Sequence, residues 1–153
     1  MREFDKETVR KIWQRVQSEQ PVSEARREHE SLTEWISWEL SFGDVYRRLV
    51  GKMSGQTAGK LRRLARQEQQ HAGLLRGICV MTEGAAPRVH PAFMEKAPVS
   101  VLLRQCYGEK LRAISQYEKR AADSQFGEVY RKILQEEQDQ CRFLLQLLGQ
   151  NIP

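Results

Sequence analysis

Cysteine occurs only as Cys79, Cys106 and Cys141, far apart and each set in an apolar stretch. An odd, scattered set excludes a disulfide framework, and these residues read as reduced core thiols. No Cys-x-x-Cys pair is present. Long hydrophobic runs are missing too, and none reaches membrane-spanning length. The charged start Met1-Arg-Glu-Phe-Asp-Lys-Glu7 does not read as a secretory signal, so a cytoplasmic protein without membrane contact is the expectation. The chain also lacks any aromatic-basic motif or long basic run. Its formal charge of +5 comes from scattered pairs such as Arg26-Arg27, Arg47-Arg48 and Arg62-Arg63, interleaved with acids, and reads as solvated surface. Nucleic acid is therefore not an expected partner.

What is present is helix. Apolar residues make up 40% of 153 residues, enough to close one core of four helices without staples, and nothing reads as strand. Residues 5–19 read as a short amphipathic helix carrying Val9, Ile12, Trp13 and Val16 and closed by Pro21. With the linker to residue 30 it forms an appendage to a main unit at 31–153. Ser31-Leu-Thr-Glu34 has the capping-box pattern, so the first long helix starts near there and runs to about Lys52. Its inner face is Trp35, Trp38, Phe42, Val45, Tyr46 and Leu49. A tight connection leads to a second helix reaching about Met81. The one long loop, from Glu83 past Pro91, precedes a third helix from Val99 to Asp123 with Leu103, Cys106, Ala113 and Tyr117 inside. A break at Ser124–Gly127 leads to the fourth, with Ile133, Leu144, Leu147 and Leu148 inward.

Polar residues interrupt these seams. Leu61, Leu64, Leu75 and Ile78 continue a three-four apolar spacing whose two missing steps are Glu68 and His71. The fourth helix repeats the pattern: Glu137 falls on Glu68 and Gln140 on His71. Glu39 lies seven residues before Tyr46, and Lys110 seven before Tyr117, so the two halves read as copies. An unpaired carboxylate on an inward face costs several kcal/mol, so such a layer implies a charge partner, a proton or a metal.

A bundle with one Glu from each of two helices and a Glu-x-x-His from each of the other two is the carboxylate di-metal arrangement of ferritin-like proteins. The chain resembles a rubrerythrin-type member of that superfamily from about Ser31 to Leu148. The resemblance implies an all-α, ferritin-like four-helix bundle with a long connection between its second and third helices. It implies Glu39 as terminal ligand of the first metal, Glu68 and Glu137 as bridging carboxylates, and His71 as the imidazole ligand. Tyr46 and Tyr117 correspond to buried tyrosines that support such carboxylates.

The second half-site departs from the pattern. Where a Glu belongs stands Lys110, with Glu109 turned about 100° away on the helix. Where a His belongs stands Gln140. A protonated ammonium binds no metal, and an amide is a poor ligand for iron or manganese. With Lys110 inward, three carboxylates and one ammonium leave two negative charges, which one divalent ion neutralises. With Glu109 inward, a second ion becomes possible.

The expected cofactor is thus one divalent ion, iron first, with manganese or zinc able to use the same donors. Two functions follow. One is a peroxide- or dioxygen-reducing oxidoreductase that draws electrons from an outside donor. The other is a non-catalytic bundle whose polar layer sets register, acting in structure or interaction. A homodimer is expected, formed through an apolar face bearing Trp35 or Trp38.

Overall fold

The structure is a computed structural model that describes Arg10, residues 31–91 and residues 96–150. The expected short helix at 5–19 and the boundary at residue 30 lie outside the described residues. Helix fills residues 31–50 (α1), Gly55–Glu83 (α2), Val99–Asp123 (α3) and Gly127–Leu148 (α4), and no strand occurs among the described residues.

Each boundary has a local cause. After residue 50 the Lys52 amide closes a turn on the Leu49 carbonyl at 2.9 Å. α2 runs to Glu83, just past the expected Met81, and Thr82 turns its hydroxyl back onto the Ile78 carbonyl at 2.9 Å. Gly84 then stops it in the left-handed conformation, φ 81°, with its amide on the Val80 carbonyl at 2.9 Å. Pro98 cannot continue a helix backwards, and its carbonyl receives the amides of Val101 and Leu102 at 3.0 and 3.1 Å, which starts α3.

The α3–α4 turn is tight. Ser124 Oγ accepts the Phe126 amide at 3.1 Å, and a Cβ at position 127 would stand 2.7 Å from the Ala121 carbonyl oxygen, so only glycine fits there. α3 and α4 pack along each other, and α4 also meets α2. The long α2–α3 connection is tied to α1 where Ser37 Oγ donates to the His90 carbonyl at 3.1 Å.

One continuous core joins the helices. Leu32, Ile36, Phe42, Val45 and Leu49 of α1 meet Leu61, Leu75 and Ile78 of α2, Leu103 and Ala113 of α3, and Ile133 and Leu144 of α4. Trp35 lies edge-on to Tyr117 and Tyr130, with centroids 5.5 and 5.8 Å away. Such aromatic contacts add about 0.5–1.5 kcal/mol to burial alone.

Trp35, expected on the inner face of α1, is only 1% exposed, and its indole fills the space beside the α3 and α4 tyrosines. Trp38 and Leu148 are half-buried at the margin of the core rather than inside it. Among the described residues, no helix is long and apolar enough to cross a membrane.

Candidate metal centre

The helical repeat brings one polar layer into the middle of this core. On α1, Glu39 lies between Ile36 and Phe42; on α2, Glu68 and His71 lie between Leu64 and Leu75. Lys110 of α3 follows Cys106 and precedes Ala113, and Glu137 of α4 lies between Ile133 and Leu144. Each is flanked three or four residues away by core side chains, so packing of the apolar neighbours rotates it inward. Glu39, Glu68, His71, Lys110 and Glu137 are all 0% exposed.

The third helix's register is thereby settled. Lys110 faces the interior, while Glu109 keeps a side chain 37% exposed and receives Arg112 at 3.5 Å. Lys110 Nζ donates to Glu137 Oε2 at 2.6 Å and stands 3.4 Å from Glu68 Oε1. It also lies over the Phe42 ring, 4.1 Å from the centroid, an arrangement that favours the cationic form.

His71 links three helices. Its Nδ1 is 3.1 Å from Glu137 Oε1, 3.3 Å from Glu39 Oε2 and 3.8 Å from Glu68 Oε1. Its Nε2 points the other way, 3.3 Å from Glu136 Oε2. Glu136, half-buried, is in turn held by Lys132 at 2.8 Å. Tyr117 donates its hydroxyl to Glu39 Oε1 at 2.6 Å.

Tyr46 does something different from its counterpart: it donates to Gln140 Oε1 at 2.7 Å, and Gln140 Nε2 donates to Gln67 Oε1 at 2.8 Å. Both polar ends of the Gln140 amide are thus satisfied. Tyr117 donates to a carboxylate as expected but Tyr46 does not, because Lys110 stands where the matching carboxylate belongs and the Gln140 amide oxygen accepts the Tyr46 hydroxyl hydrogen bond instead.

Sequence reasoning missed Glu136 and Gln67. The Lys132-to-Glu136 spacing of four was readable as a helix pair. That Glu136 reaches His71 was not, since it depends on how α4 is rotated against α2.

Burial and mutual charge set the protonation of the layer. Burial, reinforced by Glu137, pushes Glu39 up to about 8. Burial and the charges of Glu137 and Glu39 push Glu68 well above the carboxylate range. Burial would raise Glu137 as well, but the Lys110 ammonium and the His71 hydrogen bond hold it down at about 2. Burial opposes charge on His71 and Lys110, yet the facing carboxylates win and raise both. Cys106 and Cys141 are pushed up to about 12 and about 11, chiefly by burial, which leaves them as inert thiols.

Glu39, Glu68, His71 and Glu137 can each offer one donor atom, all within 4.8 Å of one another. Donors about 2.0–2.2 Å from a shared ion stand about 3.4 Å apart in tetrahedral geometry and at most about 4.4 Å apart when trans, so the widest pair must close by roughly 0.4 to 1.4 Å to share one ion. Neither buried Glu68 oxygen completes a well-formed hydrogen bond, and the nearest ammonium, Lys110 Nζ, stands 3.4 Å from Oε1. A dry carboxylate in that state is stabilised by a proton or a cation. Three carboxylates and an imidazole are hard-to-borderline donors that suit iron, manganese or zinc, and the residues therefore fit a divalent metal.

Among solved structures the chain is similar to a ferritin-like, diiron-carboxylate protein from Bacillus anthracis str. Ames, with a TM-score of 0.65 and 21% identity over 82% of this chain and 97% of that one. No family model and no curated protein matches the chain. The structural likeness shows the fold: an all-α, ferritin-like four-helix bundle.

Proposed function

We propose that this protein is a metal-binding member of the rubrerythrin-type, ferritin-like group that holds one divalent ion, iron, on Glu39, Glu68, His71 and Glu137. The observation that carries the proposal is the convergence of Glu39, Glu68, His71 and Glu137 on one buried point, where the Glu68 oxygens complete no hydrogen bond and the Lys110 ammonium comes no nearer to Glu68 than 3.4 Å. The diiron-carboxylate description of the structural neighbour supports iron over the alternatives. Lys110 takes the charge role of a second ion, pairing with Glu137 at 2.6 Å and approaching Glu68 at 3.4 Å.

The chain's own contribution is positioning. Tyr117 fixes one oxygen of Glu39, Glu136 orients His71 through Nε2, and the surrounding apolar side chains exclude water. Iron in such a site supplies one-electron chemistry toward peroxide or dioxygen, with electrons from an outside donor. Elemental analysis of protein prepared without chelator tests the count, and an anomalous-scattering map of the bundle centre tests place and element. One ion per chain is expected, and two tightly bound ions would overturn the reading.

A second reading rests on the satisfied half of the layer. Tyr46, Gln140 and Gln67 form a complete hydrogen-bond chain, and Lys110 and Glu137 a complete pair, both without metal. Such a layer can serve register in a non-catalytic bundle. Peroxide consumption with a reductant and added iron separates the two. Activity lost in His71→Ala and kept in Gln140→Ala supports the oxidoreductase; no activity in any metal-loaded form supports the non-catalytic bundle.

A further inference from the structure

We propose that the groove between α1 and α2, lined by Arg47, Val50, Arg62, Ala65, Arg66 and Gln69, binds a small phosphate monoester. Its volume is about 410 Å³, within the range of small-ligand sites. The charged groups of its lining are guanidiniums alone, with no carboxylate.

Their arrangement sets like charges side by side on exposed positions. Arg62 and Arg66 stand four apart on one face of α2, where like charges repel. Arg47 reaches the same place from α1. A Cβ at Gly43 would lie 3.5 Å from Arg47 Nη1 and 3.5 Å from the Cβ of Glu68, so this guanidinium lies over the α1–α2 contact. Arg48, its neighbour in sequence, pairs with Asp44 at 3.0 Å, whereas Arg47, Arg62 and Arg66 have no acidic partner among the described residues.

The lining also indicates the chemistry of the ligand. Arginine's planar fork matches the oxygens of a phosphate in pairs, and a monoester brings enough charge to separate the converging guanidiniums. Val50 and Ala65 add an apolar wall for the ester's organic part, and the Gln69 amide adds a neutral polar group at the rim. A nucleic-acid backbone presents its phosphates in a row and is met by a stripe of cations. An open groove between two helices, with three arginines converging from both sides, instead suits one compact group.

Calorimetric titration of the full chain with phenyl phosphate tests this, with random-sequence duplex DNA as the counter-probe. Saturable one-site binding is expected, tighter than that of inorganic phosphate. Arg62→Ala and Arg66→Ala should each weaken it about tenfold, and Arg62→Lys, which keeps the charge and loses the fork, several-fold. Arg63→Ala, which removes an equally exposed arginine of the same helix outside the groove, should leave it unchanged. Absence of saturation overturns the proposal, as does an equal loss in Arg63→Ala. So does DNA binding tighter than phenyl phosphate that all the alanine variants weaken alike.

Discussion

Lys110 Nζ lies 2.6 Å from Glu137 Oε2 inside the bundle, and neither side chain is exposed at all. An ammonium and a carboxylate in such surroundings are each costly alone and tolerable together. Lys110→Met fills much the same volume, removes the ammonium and leaves Glu137 with His71 alone, at 3.1 Å. The metal-free variant should lose about 3–5 kcal/mol at pH 7 in urea unfolding. The loss should shrink at acid pH, where Glu137 takes up a proton instead. A change below about 1 kcal/mol at both pH values would show that the pair behaves like a surface bridge.

Glu136→Gln keeps size and a hydrogen-bonding group at His71 Nε2 but removes the charge that the imidazole faces at 3.3 Å. Carboxylates in this outer position raise the basicity of a histidine ligand and fix its tautomer. Metal affinity should fall about tenfold or more, read by competition with a chromogenic chelator, while the melting temperature of the metal-free chain changes little. Affinity equal to that of the unaltered chain would remove Glu136 from the site.

The titrating groups predict an unusual pH response. Glu39 has its ordinary value of 4.5 when unfolded and about 8 when folded, so the unfolded chain releases this proton first and stability falls as pH rises between those values. His71, raised above 6.5, acts in the same sense: its contribution is full below 6.5 and is lost as pH climbs through the folded value. Glu137 runs oppositely, contributing above 4.5 and losing that contribution as pH falls toward 2. The metal-free chain should therefore be most stable near about pH 5 and melt lower at about pH 8. A bound cation replaces the protons on Glu39 and His71, so added metal should raise the melting temperature most at the alkaline end. A metal-free melting temperature that does not change between those two pH values would contradict these assignments.

The four helices were legible because their seams are regular: Leu61, Leu64, Leu75 and Ile78 on α2, and Ile133, Leu144 and Leu147 on α4, predict the buried faces that the structure has. Glu68, His71 and Glu137 were visible as gaps in those same seams. Lys110 against Glu109 was not decidable from one helix, because two adjacent polar residues differ only by rotation, and the packing of Cys106, Ala113 and Tyr117 against the other helices sets that rotation. The partners of Tyr46 were hidden for a related reason. Which group receives a buried hydroxyl depends on distances across the bundle, and here Gln140 lies at 2.7 Å. The end of α2, expected at about Met81, falls at Glu83, where Gly84 takes the left-handed conformation.

If Lys110 and Gln140 are what limit the layer to one ion, restoring both donors should restore the second. Lys110→Glu alone places a fourth carboxylate beside Glu137 and Glu68, a cluster of like charges that the metal-free chain can hold only by taking up protons. That variant should unfold readily without metal and recover when metal is added. Gln140→His alone breaks the hydrogen bonds to Tyr46 and Gln67 and gains little, since Lys110 still faces Glu137. Only the double variant Lys110→Glu/Gln140→His supplies the two helices' worth of Glu and Glu-x-x-His that a two-metal site needs. Elemental analysis should then rise from one ion per chain to two, with each single variant binding fewer than two. If the double variant still holds one ion, or the unaltered chain already holds two, Lys110 does not stand in for a metal.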